Sequence, residues 1–383
     1  MQALAVPFYM NDLTDSNAWV GAAGFAALVP AVLATPLVGT LCDRMSRKRL
    51  LMASLSGQAV VSAIFLLLYL TDNLTPWRML GLQTLTGLGG GFQWAPVQSL
   101  TALLVPPRDL VPAIRLVSMS FTAGRAIGPA GAGVTLAIWG PGPAFGVTFV
   151  GLAISVVILW SVQPRPAPVS GGEPFLQQFR AGMAYVRARP GMRLVLRMAF
   201  WVACLAAVFP SALAASVADD VFDTGGGGLG LITATFGLGS MVSAVYLARH
   251  GDRHLRSTTE LVMASAYAIG LLLMGSTSVF VIGLVGYFIA GSAHLMHGTT
   301  LNSAIQVQVH EEYRGRVSSV WLMVILMGLP IGSLVGGILG DALSMRAVVL
   351  LFAGLLAVIV VMSAVRFDRF RLLDLDEPEV VAG

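Results

Sequence analysis

Gly39-Thr40-Leu41-Cys42-Asp43-Arg44-Met45-Ser46-Arg47-Lys48-Arg49 is a short charged stretch set between two long apolar blocks. Residues 19–41 precede the cluster without a charged side chain, and residues 50–70 follow it without one. About 20 apolar residues cross the hydrocarbon core of a bilayer, so each block is long enough to span. Backbone groups in lipid have no water to bond, so a span must be a helix or part of a closed barrel. Continuous apolar runs, rather than alternation with period two, select helices. The whole chain repeats this character: of 383 residues 56% are hydrophobic and only 11% charged, with mean hydropathy +0.81. A soluble domain carries about 25% charged residues and could not cover its surface with so few.

Further spans are expected at 77–104, 116–138, 144–162, 194–218, 229–247, 259–276, 279–301, 317–339 and 347–365. The expected organisation is a helical bundle at 1–162, a linker at 163–193, a second bundle at 194–365 and a soluble acidic tail at 366–383. Charge sidedness supports the count. All but three of the 23 Lys and Arg fall in alternate loops, and the exceptions are Arg78, Arg125 and Arg346. The opposite loops carry Asp12, Asp15, Asp72, Asp219, Asp220, Asp223 and Asp341. One missed or invented span would invert everything after it. The positive-inside rule makes the Arg-rich side cytoplasmic, which places the protein in a cell (inner) membrane with both termini of the full-length form in the cytoplasm.

The basic isoelectric point near 9.4 does not signal nucleic acid, because the basic residues are dispersed in these loops. In the linker, Phe179, Met183 and Val186 follow Phe175 and Leu176 on one helical face, with Arg180, Arg187 and Arg189 elsewhere. A basic amphipathic helix of this kind is expected to lie along the membrane surface. The chain also repeats itself. Asp43-Arg44-Met45-Ser46-Arg47 follows the second span and Asp252-Arg253-His254-Leu255-Arg256 the eighth, and each leads into a span containing Met-Ala-Ser. Two six-helix halves joined by a linker, with a binding site between them, is the plan of a secondary transporter.

The opening stretch, with Gly39, Asp43, Arg44, Arg47 and Lys48 at fixed spacing, closely resembles the loop motif of the major facilitator superfamily; Ser46 stands where glycine is usual. Gly124, Gly128, Pro129, Gly131 and Gly133 in the fifth span resemble in part that family's exporter motif. Together with 179–193 and 306–318, these stretches look like the bacterial branch of enterobactin exporters and macrolide-efflux proteins. The resemblance implies an all-α membrane protein of two pseudo-symmetric six-helix bundles. It also implies a loop that latches the halves on the cytoplasmic face, and proton-driven export of small amphipathic, siderophore-like or drug-like compounds by a monomer. A full first helix precedes Leu13-Thr14 in that branch, whereas about ten residues stand here; ten helical residues rise about 15 Å, half the core. An incorrectly assigned start or a truncated product is the expectation.

Arg125 is the leading candidate for transport, because a charge within the bilayer normally faces a cavity or a partner. No Asp or Glu stands well inside a span to pair with it. His294 and His297 share one face of the tenth span near Asn302, as polar lining, interhelical hydrogen bonds or a titrating relay. Gln83, Trp94 and Trp201 are weaker cavity candidates, on helices that line the cavity in the family the chain resembles. Residues 225–228, all glycine, read as a flexible loop on the acidic side. They lack the Lys-Ser/Thr ending of a phosphate loop. No catalytic constellation, metal site or cofactor site can be assembled, and Cys42 and Cys204 suggest no disulfide framework. The expected partners are lipid, a small-molecule substrate and the proton. An uptake permease of the same fold and a non-transporting or truncated membrane remnant are the competing readings.

Overall fold

The computed structural model describes residues 1–44, 46–164, 175–250, 255–365 and 370–375; the side chains of 35–44, 175–176 and many positions between 94 and 130 lie outside that description. The described residues form helices and turns with no strand. In chain order the helices are α1 (Gln2–Thr14), α2 (Asn17–Arg44), α3 (Arg47–Leu70), α4 (Pro76–Gly91), α5 (Trp94–Leu104), α6 (Leu110–Trp139), α7 (Pro141–Ser161) and α8 (Phe175–Ala188). They continue as α9 (Pro190–Leu205), α10 (Ala214–Ser216), α11 (Gly225–His250), α12 (Arg256–Ser276), α13 (Phe280–Gln308), α14 (Glu311–Ala342) and α15 (Met345–Val365). Among the described residues, α2, α3, α7 and α11 to α15 are each long and apolar enough to cross a membrane. Val157, Ile158 and Trp160 of α7 and Val358, Val361 and Met362 of α15 stand exposed. A patch that apolar fits lipid rather than water.

The packing repeats. α3 lies against α7 as α12 lies against α15, α2 against α4 as α11 against α13, and α1 against α6 as α9 against α14. Each pair maps onto its counterpart when α2 is matched to α11, the same match that the two Asp-Arg-x-x-Arg stretches make. α1 occupies the interior of this arrangement: Ala5, Val6 and Met10 are fully buried.

Five features differ from expectation. The span at 77–104 is broken at Phe92 and Gln93, between α4 and α5. Pro96 has no N–H to offer the Phe92 carbonyl, which removes a helical bond at the break. The span at 194–218 ends early, at Leu205, and passes through turns into α10 and a π-turn, Val217–Val221. Pro210 removes another helical bond and disfavours helix in the residue before it.

The glycine run 225–228 is the first turn of α11 and not a loop. Gly226 sits against the backbone of Leu136 and Ala137, where a side chain would crowd, and Gly225 starts the helix from a positive φ of 54. Further, α8 docks on the start of α14: a Cβ on Gly182 would meet the Arg316 carbonyl, and Tyr185 stacks on Tyr313 at 4.9 Å. Tyr185 Oη also accepts the His310 N–H at 3.2 Å.

The segment Arg371–Asp374 is likewise packed onto the bundle. Phe370 and Leu373 are buried. Gln308 donates to the carbonyls of Leu372, Leu373 and Leu375. Asp374 accepts from the Ser257 N–H at 2.9 Å and from its hydroxyl at 2.5 Å, capping α12 from outside.

Candidate functional site: a polar latch at the acidic face

α1 ends where Asp15 turns into the left-handed region, with φ 48 and ψ 39. The chain then enters α2 at Asn17, and the free N–H groups of that new helix need acceptors. Asp341, at the far end of α14, supplies them. Its carboxylate accepts from the Asn17 N–H at 2.6 Å, the Ala18 N–H at 3.2 Å and the Ser16 hydroxyl at 2.6 Å. A negative group at a helix N-terminus also meets the favourable end of the helix dipole.

Two more bonds run beside this cap. Asn11 Nδ2 donates to Asp219 at 2.8 Å, and Asn17 Nδ2 donates to Asp220 at 2.6 Å. Both acceptors belong to the π-turn, a distortion frequent at functional sites. Burial pushes the Asp220 carboxyl above the usual aspartate range; the Asn17 bond opposes this, and the nearby Asp219, Asp15 and Asp341 add to it. Arg346 braces the turn by donating to the Val221 carbonyl at 3.0 Å and to Ser278 Oγ at 2.8 Å. Three aspartates from the second half of the chain therefore hold the α1–α2 corner of the first half.

Beneath the latch, two helix crossings bring backbone onto backbone. At the first, Gly21 and Gly337 let α2 and α14 touch, and a Cβ on either would strike a carbonyl of the other helix, Ser333 or Asn17. Ser333 Oγ donates to the Gly21 carbonyl at 3.1 Å, fully buried. At the second, Gly133 of α6 meets Gly230 of α11, Cα to Cα. Small residues at such points let membrane helices approach closely.

The residues expected from sequence fall in several places. Of the loop motif, Gly39, Asp43 and Arg44 lie on α2 with side chains outside the described set. Lys48 is described: its ammonium donates to the Trp160 and Val162 carbonyls at 2.8 and 2.6 Å, capping the C-terminal end of α7. Arg125, Pro129 and Trp94 are helical, with side chains outside the described set. Gly124 and Gly128 of the exporter-like stretch have no described atom within 4 Å of where a Cβ would stand, while Gly133 makes the crossing just described.

Gln83 is buried on α4, and no described group bonds its Oε1. Trp201 is 40% exposed beside Phe200, and Asn302 is exposed. The two histidines part company: His294 lies against Phe236 of α11 and Tyr267 of α12, whereas His297 Nδ1 is 2.7 Å from Glu260 Oε1. Glu260, the second residue of the span expected at 259–276, is thus buried against α13; its place at the edge of that span kept it from being weighed as an intramembrane acid. Asn11, Asn17 and Asp341 were passed over because their partners lie hundreds of residues away. The aspartates clustered on one side were the one available signal.

The family model described as transmembrane secretion effector matches residues 1–381. The chain is similar to macrolide efflux protein A of Streptococcus pyogenes, 22% identical over 383 residues, covering 97% of this chain and 93% of that protein. It is also similar to the enterobactin exporter EntS of Shigella flexneri, 26% identical over 382 residues, covering 96% and 88%. Among solved structures, the nucleoside transporter NupG superposes with a TM-score of 0.77 over 96% of this chain and 94% of that one. At 14% identity that likeness is one of fold.

Proposed function

Because the chain belongs to the transmembrane secretion effector family of major facilitator transporters, we propose that it is a proton-coupled exporter that moves small amphipathic compounds outward by alternating access. The latch is the observation that carries the reading. A transporter of this type closes one end of a central path while opening the other. The contacts of Asp341, Asp219 and Asp220 with the α1–α2 corner close one end by bonds that a modest motion can break and remake. If the Arg-rich face is cytoplasmic, as the charge distribution argues, the latch seals the outer face of an inner-membrane protein, and the conformation faces inward.

In this reading residues 1–162 and 194–365 rock as two bundles joined through 163–193, and a single chain suffices for transport. Asp43, Arg44 and Arg47 make the opposing contacts when the cytoplasmic end closes. Arg125, Gln83, Trp94, Trp201, His294 and Asn302 border the path, with Arg125 suited to an anionic group on the cargo or to backbone carbonyls. Export, rather than uptake, is supported by the macrolide and enterobactin exporters it is similar to.

Everted membrane vesicles containing the full chain test the proposal directly. An acidified lumen should drive accumulation of a radiolabelled macrolide or an amphipathic dye, and collapsing the gradient should release it. Uptake by right-side-out vesicles with an acidified exterior would favour a proton-symporting permease, and an inert chain across both orientations would favour a remnant.

A further inference from the structure

Glu260 is the one fully buried carboxylate among the described residues, with 0% of its surface exposed, and it lies on an apolar helix long enough to cross the bilayer. It falls on the face of α12 that also carries Ser257, Ala264, Tyr267 and Leu271, all buried. The facing helix, α13, brings His297 to it, 4% exposed, with 2.7 Å between Nδ1 and Oε1. The second carboxylate oxygen, Oε2, is buried and has no hydrogen-bond partner among the described residues. A buried polar group without a partner is uncommon and calls for an explanation.

The surroundings isolate the pair. From α13 and α12 come His294, Tyr267 and Tyr287, the last two with buried hydroxyls that no described group bonds. α15 also packs on α12, with Val349 and Leu350 at Gly275 towards the far end of that helix, and none of its buried residues is titratable. α11 offers the Phe236 ring beside His294. α9 contributes apolar Val195, Met198 and Ala199, which cluster with Leu301 and Ile305 of α13. From the packed Arg371–Asp374 segment, Asp374 is already engaged as the cap on Ser257, and Arg256 is engaged with the Leu373 and Leu375 carbonyls. His297 is the partner that Glu260 meets in this interior.

We propose that Glu260 and His297 form the binding site for the transported proton; this rests on the proton-coupled reading above. The charge count gives the mechanism. With one titrating proton shared between them, the pair is neutral overall, as a protonated carboxyl beside neutral imidazole or a carboxylate beside imidazolium. That form suits a dry interior. Removing the proton leaves carboxylate beside neutral imidazole, a net negative charge that burial disfavours strongly. The proton therefore leaves, to water, only when motion of α12 against α13 admits solvent, and a proton from water restores the neutral pair before it closes again. Glu260 lies within about two turns of the Arg-rich end of α12, so release on that side needs a short path. The buried pair in a conformation latched at the acidic face corresponds to the loaded carrier after its return.

The test uses the full chain in proteoliposomes. Infrared titration without cargo should show one protonated-carboxyl band in the wild type that rises and falls with pH and that E260Q lacks. H297N keeps an amide to bond Glu260 but cannot titrate, and it should move the midpoint of that band by about one pH unit or more, a tenfold change in proton affinity. In gradient-driven export of a radiolabelled macrolide, E260Q should fall at least about tenfold, while gradient-free exchange of the same macrolide stays within about twofold. Wild-type titration and gradient dependence in both variants would overturn the site. Should E260Q fail to fold by size-exclusion chromatography, H297N decides alone. Wild-type export indifferent to the gradient would instead overturn proton coupling itself, and that result is separable because it needs no variant.

Discussion

Asp341 caps Asn17: the carboxylate of the first takes the backbone N–H of the second at 2.6 Å, while the Asn17 side chain reaches past it to Asp220 at 2.6 Å. A helix at one end of the chain is thus capped by a residue near the other end. Removing a cap weakens a helix start by about 1–2 kcal/mol. D341A should therefore shift the latch toward its open form by about tenfold, and D341N, which keeps one acceptor, by less. Hydrogen exchange at residues 17–20 is the measurement: faster exchange in D341A than in D341N, and slowest in wild type.

Asp220 makes the same latch sensitive to pH. Burial raises its proton affinity in the closed arrangement, and the neighbouring aspartates act in the same direction. A group whose affinity is raised on closing favours closure once protonated. The closed latch should gain stability as pH falls toward the ordinary aspartate value and lose it as pH rises through the raised one. D220N can still accept from Asn17 and carries no charge, so it should hold the latch closed and remove this part of the pH dependence. Exchange rates at residues 17–20 measured from the ordinary aspartate value, about pH 4, upward would check both statements.

The glycines of α6 should separate by position. G133A places a Cβ into the backbone of Gly230, whereas G124A finds no described neighbour within 4 Å. Overpacking of this kind costs about 1–3 kcal/mol. G133A should lower the melting temperature in detergent and slow transport, with G124A close to wild type in stability. Equal stability of the two variants would show that the α6–α11 crossing is looser than its geometry.

On the opposite face, Asp374 caps α12 through Ser257. D374A should cost about 1 kcal/mol at that helix start and release the segment Phe370 and Leu373 hold in place. Limited proteolysis after residue 365 should then proceed several-fold faster, with little change in cleavage elsewhere.

Much of this architecture was legible in the residues. Apolar block length and the alternation of arginine with aspartate placed the spans, and the twin Asp-Arg-x-x-Arg stretches announced the repeat that the helix pairs display. What escaped was set by contacts distant in sequence. The break before Pro96 was visible as a proline but outweighed by the apolar run around it. The glycines at 225–228 looked like slack chain because nothing local says that Leu136 will lie against them. Glu260 sat at the edge of the expected span 259–276, too near its end to be weighed as an intramembrane acid; the approach of His297 from α13 marks it as an interior residue. The Asn17–Asp341 pair had no local signature at all.

The two glycine crossings carry a mechanical consequence. Matching α2 to α11 also matches α14 to α6, so the Gly21–Gly337 contact and the Gly133–Gly230 contact are one joint made twice, with the roles of the halves exchanged. Two bearings fix a line, and rotation about that line keeps both touching while everything above and below swings in opposite senses. The molecule then needs no spring at its centre. In the rocking motion proposed above, bare backbone at these two points lets one face part as the other meets, and a side chain added at only one of them would tilt the axle.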